Sequence, residues 1–319
     1  MSISMPKTQF DSGMALHAWV KKYRFVYPTE LEKLPKTDPA YHLYAILSFP
    51  RYHFIPETIL LNKGSLSCQI AAYHLTNQTL SIKWLPSAIK ESQISKVSLK
   101  CDFPCQEMEL TVTTLNGKRQ KVHIRASDCY LQAPNIPSNF EILYIGQSFG
   151  KNGERDARNR LKDHQKFLEI LKENTDSPFP SDIKILLMNF DFDKAWTSTP
   201  KPHSFKAAIS VENRLMQALG VLSLKELISV TEASLIYLFK PLKNSYLKNA
   251  EFQTGSPAFL AQLKLNQFDE ILIEISLVVP KELSLWTKTK RIWLNKPNVM
   301  SISLAEPGFA TVFSLIMAK

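Results

Sequence analysis

Tyr144, Gly146, Arg160 and His164 are the residues of this chain whose types and spacing first suggest chemistry. The apolar run Ile142, Leu143, Tyr144, Ile145 ends at Gly146, and a polar loop with Gly150 and Gly153 follows. Arg160 and His164 are four apart, the spacing that places two side chains on one helix face. A strand end, a loop and a helix start in this order can bring backbone amides, a guanidinium and an imidazole onto one anion. The guanidinium fork suits two phosphate oxygens. The imidazole can carry a proton near neutral pH.

Tyr144-Ile145-Gly146 resembles the second half of the GIY-YIG nuclease signature, and Arg160-Leu-Lys-Asp-His164 resembles the Arg/His pair that follows it on a helix. Glu232-Ala-Ser-Leu-Ile-Tyr-Leu-Phe-Lys-Pro241-Leu-Lys-Asn244 is similar to the Glu-bearing helix of the excision-repair incision nucleases of that family. Asp128-Cys129-Tyr130 stands where Gly-Ile-Tyr would be. The resemblance covers residues 126–249, under half of the chain.

That resemblance implies a metal-dependent endonuclease and assigns roles. Hydrolysis of a phosphodiester needs an activated water, neutralised charge on phosphorus, a stabilised leaving oxygen and in-line geometry. Glu232 would be the sole protein ligand of one Mg²⁺ or Mn²⁺, with water and substrate oxygens completing the shell. Arg160 would hold the scissile phosphate. Tyr144 would activate or orient water, with Tyr130 on the neighbouring strand facing the same cleft. His164 would bond the phosphate or hold a tyrosine. Asn244 would tie the Glu232 helix to the core. Gln147 and Ser148 follow the motif as neutral phosphate contacts. Products would carry a 5′-phosphate and a 3′-hydroxyl.

Composition is compatible with this. The formal charge is +10 with a pI near 9.3, which suits a polyanion such as double-stranded DNA. Residues 1–125 carry most of the excess, 16 Lys/Arg against 9 Asp/Glu, and are the better candidate for a backbone grip. The same charge could simply serve solubility. Of the four cysteines, Cys101 and Cys105 could form half a metal site, but no second pair lies at matching spacing, so buried thiols in a reducing compartment are expected. No apolar run reaches membrane-spanning length, and residues 1–14 lack the order of a signal peptide, so a cytoplasmic protein is the default.

The elements that must position these residues read as follows. Residues 15–23 suggest a short helix through Leu16, Trp19 and Val20. Residues 41–124 alternate as strands, with a hairpin turn at Asn116-Gly117. Strands are expected near 126–131, 141–146 and 182–190. Helices are expected at 155–172, 204–220 and after the Ser223/Glu226 capping box, ending before Pro241. The tail after 250 is strand-like; Trp286, Lys288, Lys290, Arg291 and Trp293 suit either a nucleic-acid surface or an amphipathic edge hairpin. The loop 149–156 would touch or close over DNA.

The expected fold class is α+β: a small central mixed or antiparallel sheet of the GIY-YIG type flanked by helices, with β-rich terminal segments. The expected domains are a basic β-rich 1–125, a nuclease-like 126–250 and a β-rich 251–319. Restriction, defence against foreign DNA or repair would be the setting. A DNA-binding module with a retained nuclease shell and a ribonuclease are the competing readings. A dimer would make a double-strand cut and a monomer a nick.

Overall fold

The computed structural model describes residues 9–35, 37–61, 65–72, 75–83, 94–133, 137–149, 157–162, 164–201, 222–245, 263, 268, 270–279, 281–304 and 310–314. The strands are β1 (Gln9–Val26), β2 (Leu43–Pro50), β3 (Tyr52–Leu61), β4 (Ser65–Ala72), β5 (Leu75–Lys83), β6 (Ile94–Cys101), β7 (Glu107–Thr114), β8 (Arg119–Arg125), β9 (Ser138–Gln147), β10 (Ser181–Lys201), β11 (Glu270–Glu274), β12 (Leu283–Trp286), β13 (Arg291–Trp293), β14 (Asn298–Ser303) and β15 (Ala310–Ser314). The helices used below are α1 (Ala126–Gln132), α2 (Ala157–Lys162), α3 (Gln165–Asp176) and α4 (Leu224–Phe239).

Among the described residues, nine strands form one sheet in the order β13-β12-β9-β2-β10-β1-β11-β14-β15. The sheet curls until its ends nearly meet. The Leu277 N–H donates to the Leu294 carbonyl at 3.0 Å, and the Leu294 N–H donates to the Leu283 carbonyl at 2.7 Å. Beyond β11, the Ile275 N–H bonds the Asn298 carbonyl at 3.1 Å. This barrel-like sheet replaces the expected small central sheet flanked by helices. N-terminal β1 and β2 and C-terminal β11 to β15 all belong to it.

The helix expected at 15–23 is part of β1. This strand lies between β10 and β11, and Ala15, Leu16 and Ala18 are buried on both of its faces while Lys21, Lys22 and Arg24 are exposed, so its apolar residues do not alternate cleanly. A register shift between Val20 and Lys22 breaks the period of two again, leaving a spacing that imitates a helix. The strand expected near 126–131 is helix α1, whose Ala126, Cys129 and Tyr130 are buried.

Residues 51–137 leave the sheet between two strands that pair with each other, β2 and β9. They build two three-stranded sheets, β3-β4-β5 and β6-β7-β8. The expected Asn116-Gly117 turn joins β7 to β8, with Gly117 at φ +79°. The two sheets share a second core with α1 in which Tyr52, Phe54, Ile70, Met108, Leu110 and Tyr130 pack. Cys68, Cys105 and Cys129 are buried there, and all four cysteines are free thiols.

The main sheet has two differently covered faces. Inside the curl, Leu43, Ala45, Leu47, Phe140, Ile142, Leu186 and Met188 pack against α4. That helix is buried nearly all round, as a helix enclosed by its own sheet must be. It begins at the Ser223/Glu226 capping box and ends at Lys240, whose left-handed backbone (φ 49°, ψ 56°) precedes Pro241. On the outer face, Tyr44, Ile46, Ile183, Ile185 and Leu187 meet Ala157 and Leu161 of α2 and Phe167 and Ile170 of α3. The helix expected at 204–220 lies outside the described residues, as do residues 150–156 of the proposed DNA-touching loop. No helix among the described residues is long and apolar enough to cross a membrane.

Candidate active site at the Gly146 strand end

The site forms where β9 ends beside β2. The strands are antiparallel, and Tyr44 pairs with Gly146 while Ile46 pairs with Tyr144. Tyr44, Tyr144 and Gly146 therefore share the outer face. A Cβ built on Gly146 would lie 2.6 Å from the Tyr44 hydroxyl and 2.7 Å from Cε1 of Tyr144. Only glycine leaves the two phenols this space.

Arg160 and His164 approach from above. Ala157 and Leu161 bury one side of α2 against the outer face, and the Ala157 N–H donates to the Tyr41 carbonyl at 2.8 Å. These anchors set Arg160 beside the Tyr44 hydroxyl. The expected single helix over 155–172 is two: α2 ends at Lys162, and His164 is the N-cap residue of α3 with extended backbone. The imidazole makes no capping bond and turns instead to the tyrosines. Ring centres are 5.5 Å apart for Tyr144 and His164, 6.1 Å for Tyr44 and His164, and 6.2 Å for Tyr44 and Tyr144.

Glu232 comes from the other side of the sheet. It lies three residues after Ser229 on the side of α4 that looks at Gln147. Gln147 bonds the Ser229 hydroxyl at 3.3 Å and lies close enough to the Glu232 carboxylate to favour its ionised form. Asn244 fixes the strand itself. Its Oδ1 accepts the Ile145 N–H at 2.9 Å and its Nδ2 donates to the Ile145 carbonyl at 2.8 Å, capping β9 beyond the reach of β12. Ser148 is buried, its N–H bonded to the His42 carbonyl at 2.8 Å, while His42 Nδ1 bonds the Ser148 carbonyl at 3.1 Å.

Electrostatics distinguish the roles. Burial pushes the Glu232 carboxyl up to about 7, against the Arg160 charge and the Gln147 hydrogen bonds that favour its ionised form. Burial, followed by the Arg160 charge, holds His164 below the usual imidazole range. Burial raises Tyr144 and Tyr44, and the Glu232 charge adds to both shifts, so both phenols stay protonated at neutral pH. They can donate hydrogen bonds but are not bases in this environment.

Among the described residues the Tyr44 hydroxyl, Arg160 Nε and His164 Nδ1 are buried without a partner at hydrogen-bond distance and angle, although the Arg160 guanidinium and the Tyr144 phenol stand close enough to Tyr44 to influence it. Each such orphan costs about 1–3 kcal/mol, and native structures rarely keep one without reason. Three in one place suit an absent polar ligand.

The donor that this site would offer a divalent cation is the Glu232 carboxylate. Among the described residues no group of three or more His, Cys, Asp or Glu is arranged to hold a metal ion. A hard cation held by Glu232 alone, with water and substrate oxygens, needs no such group. Its charge would offset the burial of the carboxylate.

Of the residues expected at the site, Tyr144, Arg160 and His164 come together on the outer face. Glu232 stands on the other side of the sheet, where its charge reaches Tyr144 and Arg160. Gln147 and Asn244 hold the strand end, and Ser148 lies there too. Tyr130 is elsewhere. It is buried in the second core, stacked on Tyr52 at 4.2 Å, with its hydroxyl donating to the Pro137 carbonyl at 2.8 Å. The tyrosine on the strand beside Tyr144 is Tyr44, which sequence reasoning missed. Its signal was the apolar run Leu43–Pro50, buried on both faces, but the pairing partner lies across the whole 51–137 excursion.

Comparison of the chain with family profiles, with curated proteins and with solved structures finds no match.

Proposed function

We propose that this chain is a divalent-cation-dependent DNA endonuclease whose site, though not its whole fold, follows the GIY-YIG pattern. The observation that carries the reading is the gathering of Tyr44, Tyr144, Arg160 and His164 on one face of the sheet, within the field of the Glu232 carboxylate, with three of their buried polar atoms lacking a hydrogen-bond partner among the described residues. The neighbouring-strand tyrosine that the resemblance requires is Tyr44. Arg160 binds the scissile phosphate and balances its growing charge. Tyr44 and Tyr144, kept protonated, donate to the non-bridging oxygens. His164, kept neutral, is the acceptor for the proton of the attacking water. Water forms a new bond to phosphorus and gives its proton to His164, the bond from phosphorus to O3′ breaks, and O3′ takes a proton from solvent water. Glu232 would hold Mg²⁺ or Mn²⁺, which supplies Lewis-acid polarisation of phosphoryl oxygen and acidifies bound water.

The +10 charge supports a nucleic-acid substrate. Four free thiols suit a reducing cytoplasm. Sequencing the ends released from a mixed pool of DNA and RNA tests the reading. Cut DNA with 5′-phosphate and 3′-hydroxyl ends is expected. Salt-sensitive retention without cutting would overturn it in favour of a binding module, and RNA cut in preference would make the chain a ribonuclease.

A further inference from the structure

A second feature lies on the outer face that carries Tyr44 and Tyr144. Tyr44, Ile46 and Ser48 alternate along β2 on that face, so Ser48 is about 13 Å from Tyr44 at roughly 3.3 Å per residue. A row of paired residues runs across the sheet at Ser48. Ile183 of β10 pairs with Ser48, Ser48 with Glu141 of β9, Glu141 with Trp286 of β12, and Trp286 with Arg291 of β13. All of them therefore face the same way as the candidate catalytic tyrosines.

Over this row lies a cavity of about 260 Å³, walled by Trp286, Phe179 and Pro180 and floored by Ser48, Asn139 and Glu141. It is smaller than the roughly 300–1,000 Å³ of pockets for drug-sized ligands, and it suits one planar heterocycle. Phe179 is 53% exposed.

Two polar groups give the cavity chemical character. The Glu141 carboxylate is half-buried and makes no hydrogen bond or ion pair with any described residue; Lys288 is the cation whose field reaches it. Burial of an unpartnered carboxylate is costly, so a donor from outside would be welcome there. The Asn139 oxygen is committed to the Ser284 hydroxyl at 2.7 Å, leaving its amide N–H₂ to donate. An acceptor beside a donor, between aromatic walls, matches the edge of a base that presents an amino group next to a ring acceptor. Cytosine and adenine have that edge; thymine does not. The rim is cationic: the Arg291 guanidinium lies 5.8 Å from the Trp286 ring centre, and Lys288 is exposed. Stacking on aromatics with cations along the backbone is how unpaired strands are held.

We infer that the Trp286–Phe179 cavity takes one unstacked cytosine or adenine of the substrate strand, about three to four nucleotides from the scissile phosphate at roughly 3.4 Å per stacked nucleotide. This rests on the nuclease reading for its distance from the cut, but not for base binding itself. Glu141 accepts from the exocyclic amine, Asn139 donates to the adjacent ring acceptor, and Trp286 stacks.

The test uses the full chain as wild type and as Glu141→Gln, Trp286→Ala and Trp286→Phe, each checked for a cooperative thermal melt. Ends cut from a randomised DNA pool are sequenced, and binding to oligo(dC), oligo(dA) and oligo(dT) is measured by fluorescence anisotropy without metal. The wild type should show a bias of about tenfold for C or A at one position three to four nucleotides from the cut. It should also bind oligo(dC) or oligo(dA) about tenfold more tightly than oligo(dT). Glu141→Gln and Trp286→Ala should abolish both biases, and Trp286→Phe should retain them in part. Cutting without a base bias overturns this inference and leaves the nuclease reading standing. Base-selective binding without cutting does the reverse. Equal affinity for all three oligomers, unchanged in the variants, overturns the inference whether or not DNA is cut.

Discussion

The Tyr44 hydroxyl occupies the space that a side chain on Gly146 would need, directly across the β2–β9 pair. The two residues are far apart in the chain and are brought together by a single antiparallel register. That register also brings Tyr44 and Tyr144 to one face, beneath Arg160 and His164.

Gly146→Ala should therefore injure the site more than the fold. A Cβ 2.6 Å from one hydroxyl and 2.7 Å from the other ring must push both phenols away. Overpacking of this kind costs about 1–3 kcal/mol. Cleavage should fall at least tenfold while a cooperative melt is kept. A fully active alanine variant would show that the phenols are free to move.

Tyr44→Phe and Tyr130→Phe separate the two candidate tyrosines. Loss of the Tyr44 hydroxyl removes a donor to the proposed phosphate and should lower cleavage about tenfold or more, at little cost in stability because that hydroxyl has no hydrogen-bond partner among the described residues. Loss of the Tyr130 hydroxyl removes its bond to the Pro137 carbonyl and should cost about 1 kcal/mol of stability without affecting the rate. Parallel melting curves and cleavage rates decide it.

The residues of the site were more legible than the sheet that carries them. Tyr144 and Glu232 are tied to local patterns, a strand ending in glycine and a capped apolar helix. The four-residue spacing of Arg160 and His164 does not put them on one helix face, because α2 ends at Lys162 and His164 is the extended N-cap of α3. The sheet depends on long-range pairing that no local pattern reveals. β1 resembles a helix in its sequence because both faces are buried around Ala15–Ala18 and a register shift follows at Val20–Lys22. Tyr44 was missed for the same reason, since its partner strand returns only after two further small sheets. Tyr130 stands where the tyrosine of the first half of the signature would be, but Asp128, Cys129 and Tyr130 lie within a helix rather than on a strand.

Glu232 gives a pH-dependent prediction. Its folded carboxyl is raised from the ordinary value near 4.5 to about 7, so between these values the unfolded chain releases the proton first. Folded stability therefore falls as pH rises through this window, and the cost is complete above about pH 7. It amounts to no more than about 3 kcal/mol, because the residue keeps some exposure. Glu232→Gln should raise Tm by a few degrees at pH 8 and hardly at all at pH 5. Cleavage by the wild type should rise with pH toward 7 as the carboxylate ionises, and added Mg²⁺ should shift this limb to lower pH. A variant no more stable than wild type at pH 8 would contradict the assignment.

Asn244→Leu should destabilise the whole strand end. It removes two buried hydrogen bonds to Ile145 and leaves both backbone groups unpaired, a loss of about 2–4 kcal/mol. Denaturant titration measures it. Amide exchange at Ile145 should become fast compared with its neighbours on β9.

The most direct measurement is nicking of supercoiled plasmid DNA in Mg²⁺ or Mn²⁺ by wild type, Arg160→Lys and Glu232→Gln, each shown to be folded. The wild type should convert plasmid to nicked or linear form, and each variant should be slower by about 10²–10³. A wild type that leaves the plasmid intact with either ion, or variants that cut at its rate, would contradict the account.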